Sequence, residues 1–421
     1  MSGSPSNHRR LMRRLLAGVG IGAVAAASPG GDFCSTNASQ GAAGQAPTAV
    51  DAAAPAQAGQ DAVLKLPPLD ARMHGAALAA AGRGLEFLAA SQQPDGGWIL
   101  QDKSHPAVTA LIVKCFLQDP RYGPEHPVSR RGLDFILRSV RSDGGIYVDG
   151  EGLNNYHTSV ALMALAAAND PKYEPTIRRA QAYLRDLQWD DAEGYGQDHA
   201  WYGGQGYGGH KRPDLSNTQM MVEALHDSGL AADDPAYGKA VAFISRCQML
   251  SETNDRPFAR GGGDGGFVYT SAGDGESKAG TEVFDGVVRL RSYGSMTYAG
   301  FKSLLYAGIG RKDVRVQRAY EWIRRHYTLD SNPNMPGESS HMGLYYYYHV
   351  FARALQAWGE PIIVDAHGNP HRWREELIAK LTDVQQKDGS WVNDADRWYE
   401  GNPYLVTAYA VLAIQAAVRG T

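Results

Sequence analysis

The feature that most constrains this chain is a stretch that recurs along it. Its fullest copy is Arg83 to Trp98, RGLEFLAASQQPDGGW. Leu85, Leu88 and Ala89 fall at i, i+3 and i+4, one face of a helix. Gly96 and Gly97 permit the positive φ at which a helix stops. Asp95 can accept from free backbone N–H groups in the turn. Gln92 can bridge the ending helix to the next, and Trp98 can cover that amide with a flat apolar face. The same register returns from Arg131 (Phe135, Ile136, Gly144, Ile146) and from Arg179 (Tyr183, Leu184, Gln188, with a turn expected at Gly194 and Tyr195). It returns again from Lys239 (Phe243, Ile244, Gln248, Gly265, Phe267) and from Arg318 (Trp322, Ile323, with Tyr327 where the others have glutamine). A sixth copy is clear only at its end, Gln385 to Trp391. One register held over six copies predicts a repeat architecture.

Arg83 to Trp98 follows the pattern Arg-Gly-x-x-aromatic-Leu-x-x-x-Gln-x-x-x-Gly-x-Trp throughout. That pattern resembles the repeat motif of squalene cyclases. Over about Leu64 to Val418 the chain is similar to the terpenoid cyclase and protein prenyltransferase superfamily. The resemblance implies an all-α fold, a six-hairpin α/α toroid of concentric inner and outer helices. It implies the fold more firmly than the chemistry.

The rest of the chain fits one such domain, residues 64–421. At 421 residues it could hold two or three average domains, but the repeat claims nearly all of it. The net charge of −4 gives no basic field for nucleic acid, so that partner is excluded. Residues 1–27 read as a twin-arginine-like export signal: Arg9-Arg10 and Arg13-Arg14 precede a modest apolar run, Leu15 to Ala27, which ends in small residues. The expected location is periplasmic or extracellular. Residues 28–63, rich in Ala, Gly, Gln and Pro, read as a flexible linker. Three cysteines, Cys34, Cys115 and Cys247, form neither a disulfide framework nor a metal spacing.

Between the turns two kinds of helix alternate. The stretch His371 to Val384 is amphipathic, with Trp373, Leu377, Leu381 and Val384 on one face, and belongs outside. Tyr404 to Ala417, Tyr156 to Ala168 and Met296 to Ala307 are apolar nearly all round and belong inside. In such a ring all six inner helices begin at one end, where their macrodipoles place partial positive charge. The candidate catalytic residues at those starts are His157, Asp214, Glu338 and Glu400; the candidate substrate-binding residues are Asn217 and His341. Because opposite charge favours a carboxylate, the dipoles are expected to depress the pKa of Asp214 and Glu400. Tyr345, Tyr346, Tyr347 and Tyr348 sweep most of a helix circumference, so at least one should face the cavity and present an aromatic surface to a cation. Residues 251–292 break the period, with strands expected at Gly266 to Thr270 and Val287 to Arg291.

The alkene-protonating Asp-x-Asp-Asp motif of class II cyclases is absent; Asp190-Asp191 and Asp233-Asp234 are pairs only. The stretch Gly144 to Thr158 resembles the zinc-histidine region of prenyltransferase β subunits. By that resemblance His157 would be a ligand, but the family's Asp and Cys ligands have no counterpart, so neither a metal nor a cofactor is expected. Three readings remain. The first is an exported cyclase-like protein acting on a hydrophobic small molecule or polyprenyl lipid, with peripheral membrane contact compatible. The second is a non-catalytic toroid that binds a lipid, peptide or protein. The third is a carbohydrate-active toroid that uses two carboxylates.

Overall fold

A computed structural model describes residues 66–208, 211–284 and 286–419. The stretches read as an export signal and as a linker, and Cys34, lie outside these residues. Twelve α-helices alternate in two layers among the described residues. The outer ones are α1 (Ala71–Ala90), α3 (Pro127–Leu137), α5 (Glu174–Asp186), α7 (Pro235–Arg246), α9 (Val314–Arg325) and α11 (Trp373–Asp383). The inner ones are α2 (Pro106–Leu117), α4 (Asn154–Ala167), α6 (Leu215–Asp227), α8 (Gly294–Tyr306), α10 (Leu344–Trp358) and α12 (Pro403–Val418). Each inner helix packs on the next, and α12 packs on α2, so the ring closes.

The recurring turn makes the ring by hydrogen bonding. Gln92 donates to Gly96 O at 2.9 Å and to Val128 O, on the next outer helix, at 3.0 Å. Gln248 repeats this with Gly265 O and Arg315 O. Gln385 donates to Gly389 O and to Ala80 O on α1, joining the last repeat to the first. Asp95, Asp143, Asp264 and Asp388 each accept from the backbone N–H two residues on. The turn glycine must be glycine: Gly389 has φ 91°, and a Cβ there would run into the Arg83 carbonyl. This contact explains why each copy starts with the same register, because the first residue of one copy roofs the turn of the copy before. Trp98 and Trp391 are fully buried, and each indole donates back to its own outer helix, at Leu88 O and Leu381 O.

A threonine in each of five inner helices completes the motif. Thr109, Thr158, Thr218, Thr297 and Thr407 each accept, at 3.0 Å, the backbone N–H of the residue after the turn. All five threonines are fully buried, so an otherwise unpaired backbone donor at each ring crossing is satisfied.

Two local expectations are corrected. The third turn is not at Gly194 and Tyr195. Gln188 donates to Gly203 O at 2.8 Å and to Ala236 O, and Gln205 stands where Trp98 stands in the first copy, its amide donating to Leu184 O. The cause is an insertion: Asp190 and Glu193 form a capping box that ends in left-handed Gly194, and Tyr195 stacks on Trp201 there. The hairpin in the long loop pairs Thr281–Phe284 with Val287–Leu290, joined through the glycine at 286. Gly266 to Thr270 instead continues from the fourth turn, where Phe267 bridges to Gln248. Short two-residue pairs at Ile99–Leu100 with Lys103–Ser104 and at Ile363–Val364 with Pro370–His371 complete the strands. No described helix is long and apolar enough to cross a membrane. Cys115 and Cys247 are fully buried.

Candidate functional site

The inner-helix starts gather two buried carboxyls. Asp214 is the N-cap of α6, 2% exposed; it accepts the Asn217 backbone N–H at 2.8 Å and the Asn217 side-chain amide at 2.9 and 3.1 Å. Tyr269 also hydrogen-bonds to it. Glu400 is 1% exposed and caps α10 from outside that helix: it accepts from Tyr346 N at 2.8 Å, Tyr345 N at 3.3 Å and Asn393 Nδ2 at 2.6 Å. The expected depression of these pKa values is overturned. Burial raises Asp214 to about 6, against the pull of the Asn217 hydrogen bonds. Burial likewise raises Glu400 to about 7, against the α10 N–H groups. A helix terminus carries only about half a charge, whereas desolvation acts on the whole carboxylate, so desolvation wins.

Tyrosines surround this end. Tyr207, Tyr269, Tyr293 and Tyr346 all lie close enough to Asp214 for its charge to oppose their ionisation, on top of the larger effect of burial. Of the four consecutive tyrosines, Tyr346 faces inward: its hydroxyl lies 3.0 Å from Gln219 Nε2 and 3.3 Å from Ser216 Oγ. Tyr347 and Tyr348 point back between the rings and donate to Thr328 O and Leu329 O, each at 2.7 Å. Tyr345 is buried against Tyr348. Tyr156 of α4 and Tyr409 of α12 hydrogen-bond to each other.

The opposite end of the axis holds a charge cluster that the sequence reading missed. Lys302, fully buried in α8, meets Glu223 and Gln219 of α6. Arg353 of α10 reaches Glu223 at 3.0 Å and Asp227 at 2.6 Å, and Lys114 of α2 reaches Asp227 at 2.9 Å. The Lys302 pair joins neighbouring helices, but the Arg353 and Lys114 pairs join α10 and α2 to α6, which are not neighbours in the ring, so those side chains cross the lumen. Burial alone would raise Glu223, but Lys302, Arg353 and Lys114 outweigh it and hold the carboxyl well below the usual range. Three cations face two carboxylates here because the inner helices end at this face, where their dipoles favour positive charge.

A third cluster lies between the first and second repeats. His105 is the N-cap of α2 but makes no side-chain cap bond. His157 stands in the first turn of α4, its ring edge-on to His105 at 4.9 Å between centroids. Glu151 Oε2 lies 3.9 Å from His105 Nε2 and 3.7 Å from His157 Nε2. Burial, and then His105, hold His157 near 3, so it is neutral.

The other sequence candidates fall elsewhere. Glu338 is exposed on a 3-10 turn, Gly337–Ser339, and His341 is exposed just before left-handed Gly343, which starts α10. Neither enters the buried cluster around Asp214, because α10 begins later than the sequence pattern implies. A shallow groove on the outer wall, lined in part by Met73, Ala76, Ile378 and Thr382, shares no residue with any of these groups.

Residues 99–271 match the family model of the squalene-hopene cyclase C-terminal domain. A probable squalene–hopene cyclase of Sinorhizobium fredii is 26% identical over 193 residues, 40% of this chain but 29% of that protein, so the chain matches under a third of its relative's length. Among solved structures, the type II terpene cyclase MstE from Scytonema, in complex with geranylgeranyl dihydroxybenzoate, superposes with a TM-score of 0.52 at 14% identity, covering 83% of this chain and 99% of that one. A protein from Actinoplanes gives 0.51 at 17% identity, covering 82% and 100%. An alpha-amylase from Clostridium perfringens gives 0.51 at 12%, covering 80% and 97%. The repeat, the closed ring and these matches define a helical toroid of the terpenoid cyclase type. Its particular likeness is to the squalene-hopene cyclases.

Proposed function

We propose that the chain is an exported terpenoid-cyclase-like protein that takes a hydrophobic, polyprenyl-type substrate at the inner-helix N-terminal end of the ring, without an Asp-x-Asp-Asp acid. The observation that carries this reading is Asp214: a buried carboxyl raised to about 6 and ringed by tyrosines from separate segments. A carboxyl that holds its proton is a general acid, and aromatic faces stabilise a developing cation. Its acidity is weaker than that of an ordinary aspartic acid. It therefore suits protonation of a basic oxygen on the substrate rather than of an unactivated alkene carbon. The hydrophobic class is supported by the likeness to the Scytonema enzyme, whose structure is a complex with geranylgeranyl dihydroxybenzoate. Exposed Val283, Val287 and Val288 on the hairpin, 71%, 62% and 68% accessible, support peripheral contact with the membrane where such substrates reside.

Purified protein should convert oxygen-bearing polyprenyl compounds to isomers detected by mass spectrometry, and Asp214→Asn should abolish turnover while leaving the melting profile cooperative. Full turnover in Asp214→Asn would remove Asp214 from the chemistry. Sequencing the N-terminus of protein from fractionated cells tests export: a start near Ser28 outside the cytoplasm is expected, and an intact Met1 on cytoplasmic protein would refute it.

A non-catalytic toroid is the second reading, favoured by the side chains that cross the lumen, such as Tyr346 to Ser216 and Arg353 to Asp227. It predicts ligand binding that survives Asp214→Asn with no turnover in either protein.

A further inference from the structure

We propose that His105, Glu151 and His157 form a binding site for a zinc-class divalent cation. Three observations carry it. The ligand atoms, one from each residue, lie within 4.8 Å of one another. The His157 side chain is fully buried, and both its nitrogens, with His105 Nδ1 and Glu151 Oε2, have no hydrogen-bond partner. The separations of 3.7 and 3.9 Å are too long for hydrogen bonds, so the cluster is not an ordinary buried ion pair.

The geometry needs little adjustment. Zinc bonds of about 2.0–2.2 Å in a tetrahedron place ligand atoms about 3.4 Å apart. Small rotations of two imidazoles and one carboxylate reach that spacing. Lys103 Nζ holds Glu151 Oε1 at 2.7 Å, which leaves Oε2 as the single free oxygen aimed at the rings. Two imidazoles and one carboxylate oxygen suit zinc; calcium and magnesium prefer all-oxygen sets. A fourth position stays open, as in catalytic rather than structural zinc sites.

Two features set the affinity. The starts of α2 and α4 carry positive partial charge, which opposes a cation, so the charge of Glu151 is essential. Neither histidine has an acceptor on its Nδ1, and ligands without such support bind about 10–100-fold more weakly. The site is therefore of moderate affinity and metal is lost on prolonged dialysis against chelator. This set, two histidines and one glutamate, is not the Asp, Cys and His combination of the prenyltransferases.

The test uses the full chain, stripped with chelator and titrated with zinc alone, with metal measured by mass spectrometry and ligation by cobalt(II) absorption. One equivalent is expected in the wild type, with at least a tenfold loss of affinity in Glu151→Gln, His105→Asn and His157→Ala. His74→Ala, an exposed histidine elsewhere, should bind like the wild type. Glu151 lies in a loop, so Glu151→Gln decides the matter should His157→Ala fail to fold. Absence of stoichiometric zinc, unchanged affinity in Glu151→Gln, or a preference for magnesium would overturn the assignment. Because no substrate enters the measurement, its outcome is independent of whether Asp214 is catalytic.

Discussion

Replacing Glu400 by glutamine should change how the stability of this protein depends on pH. The folded-state pKa of Glu400 is raised, from 4.5 to about 7, by burial. A group with a raised folded pKa stabilises the fold fully below its unfolded value. That stability is lost as pH rises through the folded pKa, because the unfolded chain ionises first. A rise of this size corresponds to about 3 kcal/mol, at about 1.4 kcal/mol per tenfold change in proton affinity. The wild type should therefore lose about 3 kcal/mol through this group between about pH 4 and pH 8. Glutamine keeps the side-chain length and one acceptor for the Tyr346 N–H, but cannot titrate. Its second group, an amide, faces the Asn393 amide, which adds a penalty that does not vary with pH. The histidines work in the opposite sense. Burial holds His157 and His349 near 3 and His326 near 4, so their stabilisation is present above 6.5 and lost as pH falls toward those values. These terms are common to both proteins and cancel in the difference. The assay is urea unfolding of both proteins across this range. The difference in unfolding free energy should move by about 3 kcal/mol in favour of the variant as pH rises. Parallel pH profiles would show that Glu400 is ionised throughout and that burial does not dominate the α10 N–H groups.

Trp98→Ala and Trp391→Ala each delete a fully buried indole and its hydrogen bond to the outer helix; each should cost about 3–5 kcal/mol in chemical denaturation. Gly389→Ala forces a positive-φ residue against the Arg83 carbonyl at the ring closure. It should destabilise the fold by at least about 1–2 kcal/mol, with faster proteolysis near α1. Glu223→Leu leaves Lys302, Arg353 and Lys114 with one carboxylate among them, and should cost about 3–5 kcal/mol, read as a lowered urea midpoint.

The sequence determined the ring. Local signals sufficed because each turn is built from residues a few positions apart: a helix-ending glycine, an aspartate accepting from the turn, and a glutamine whose partners are backbone carbonyls that any sequence supplies. The Gln385 to Ala80 closure follows from the same register. The exceptions are instructive. The third turn moved from Gly194 to Gly203 because a capping box threw out an insertion that satisfies its own backbone, so the nearest glycine was not the turn. The five threonines beneath the turns were visible in the sequence, each in the opening turns of an inner helix, yet threonine there also reads as an ordinary surface or cap residue.

Tertiary structure alone decided the site. Asp214 and Glu400 were legible as polar groups at helix starts, but the direction of their pKa shifts depends on how completely the ring excludes water, which no local pattern encodes. Glu338 and His341 lie exposed, outside the buried groups around Asp214, because a 3-10 turn and left-handed Gly343 delay α10. Lys302 sits in a segment that reads as apolar nearly all round; its partners Glu223 and Gln219 lie roughly 80 residues earlier and reach it only when α6 and α8 pack. His157 was noticed without ligands, since His105 and Glu151 belong to a different helix start and a loop. Packing of the consecutive inner helices α2 and α4 is what places the three side-chain groups around one point.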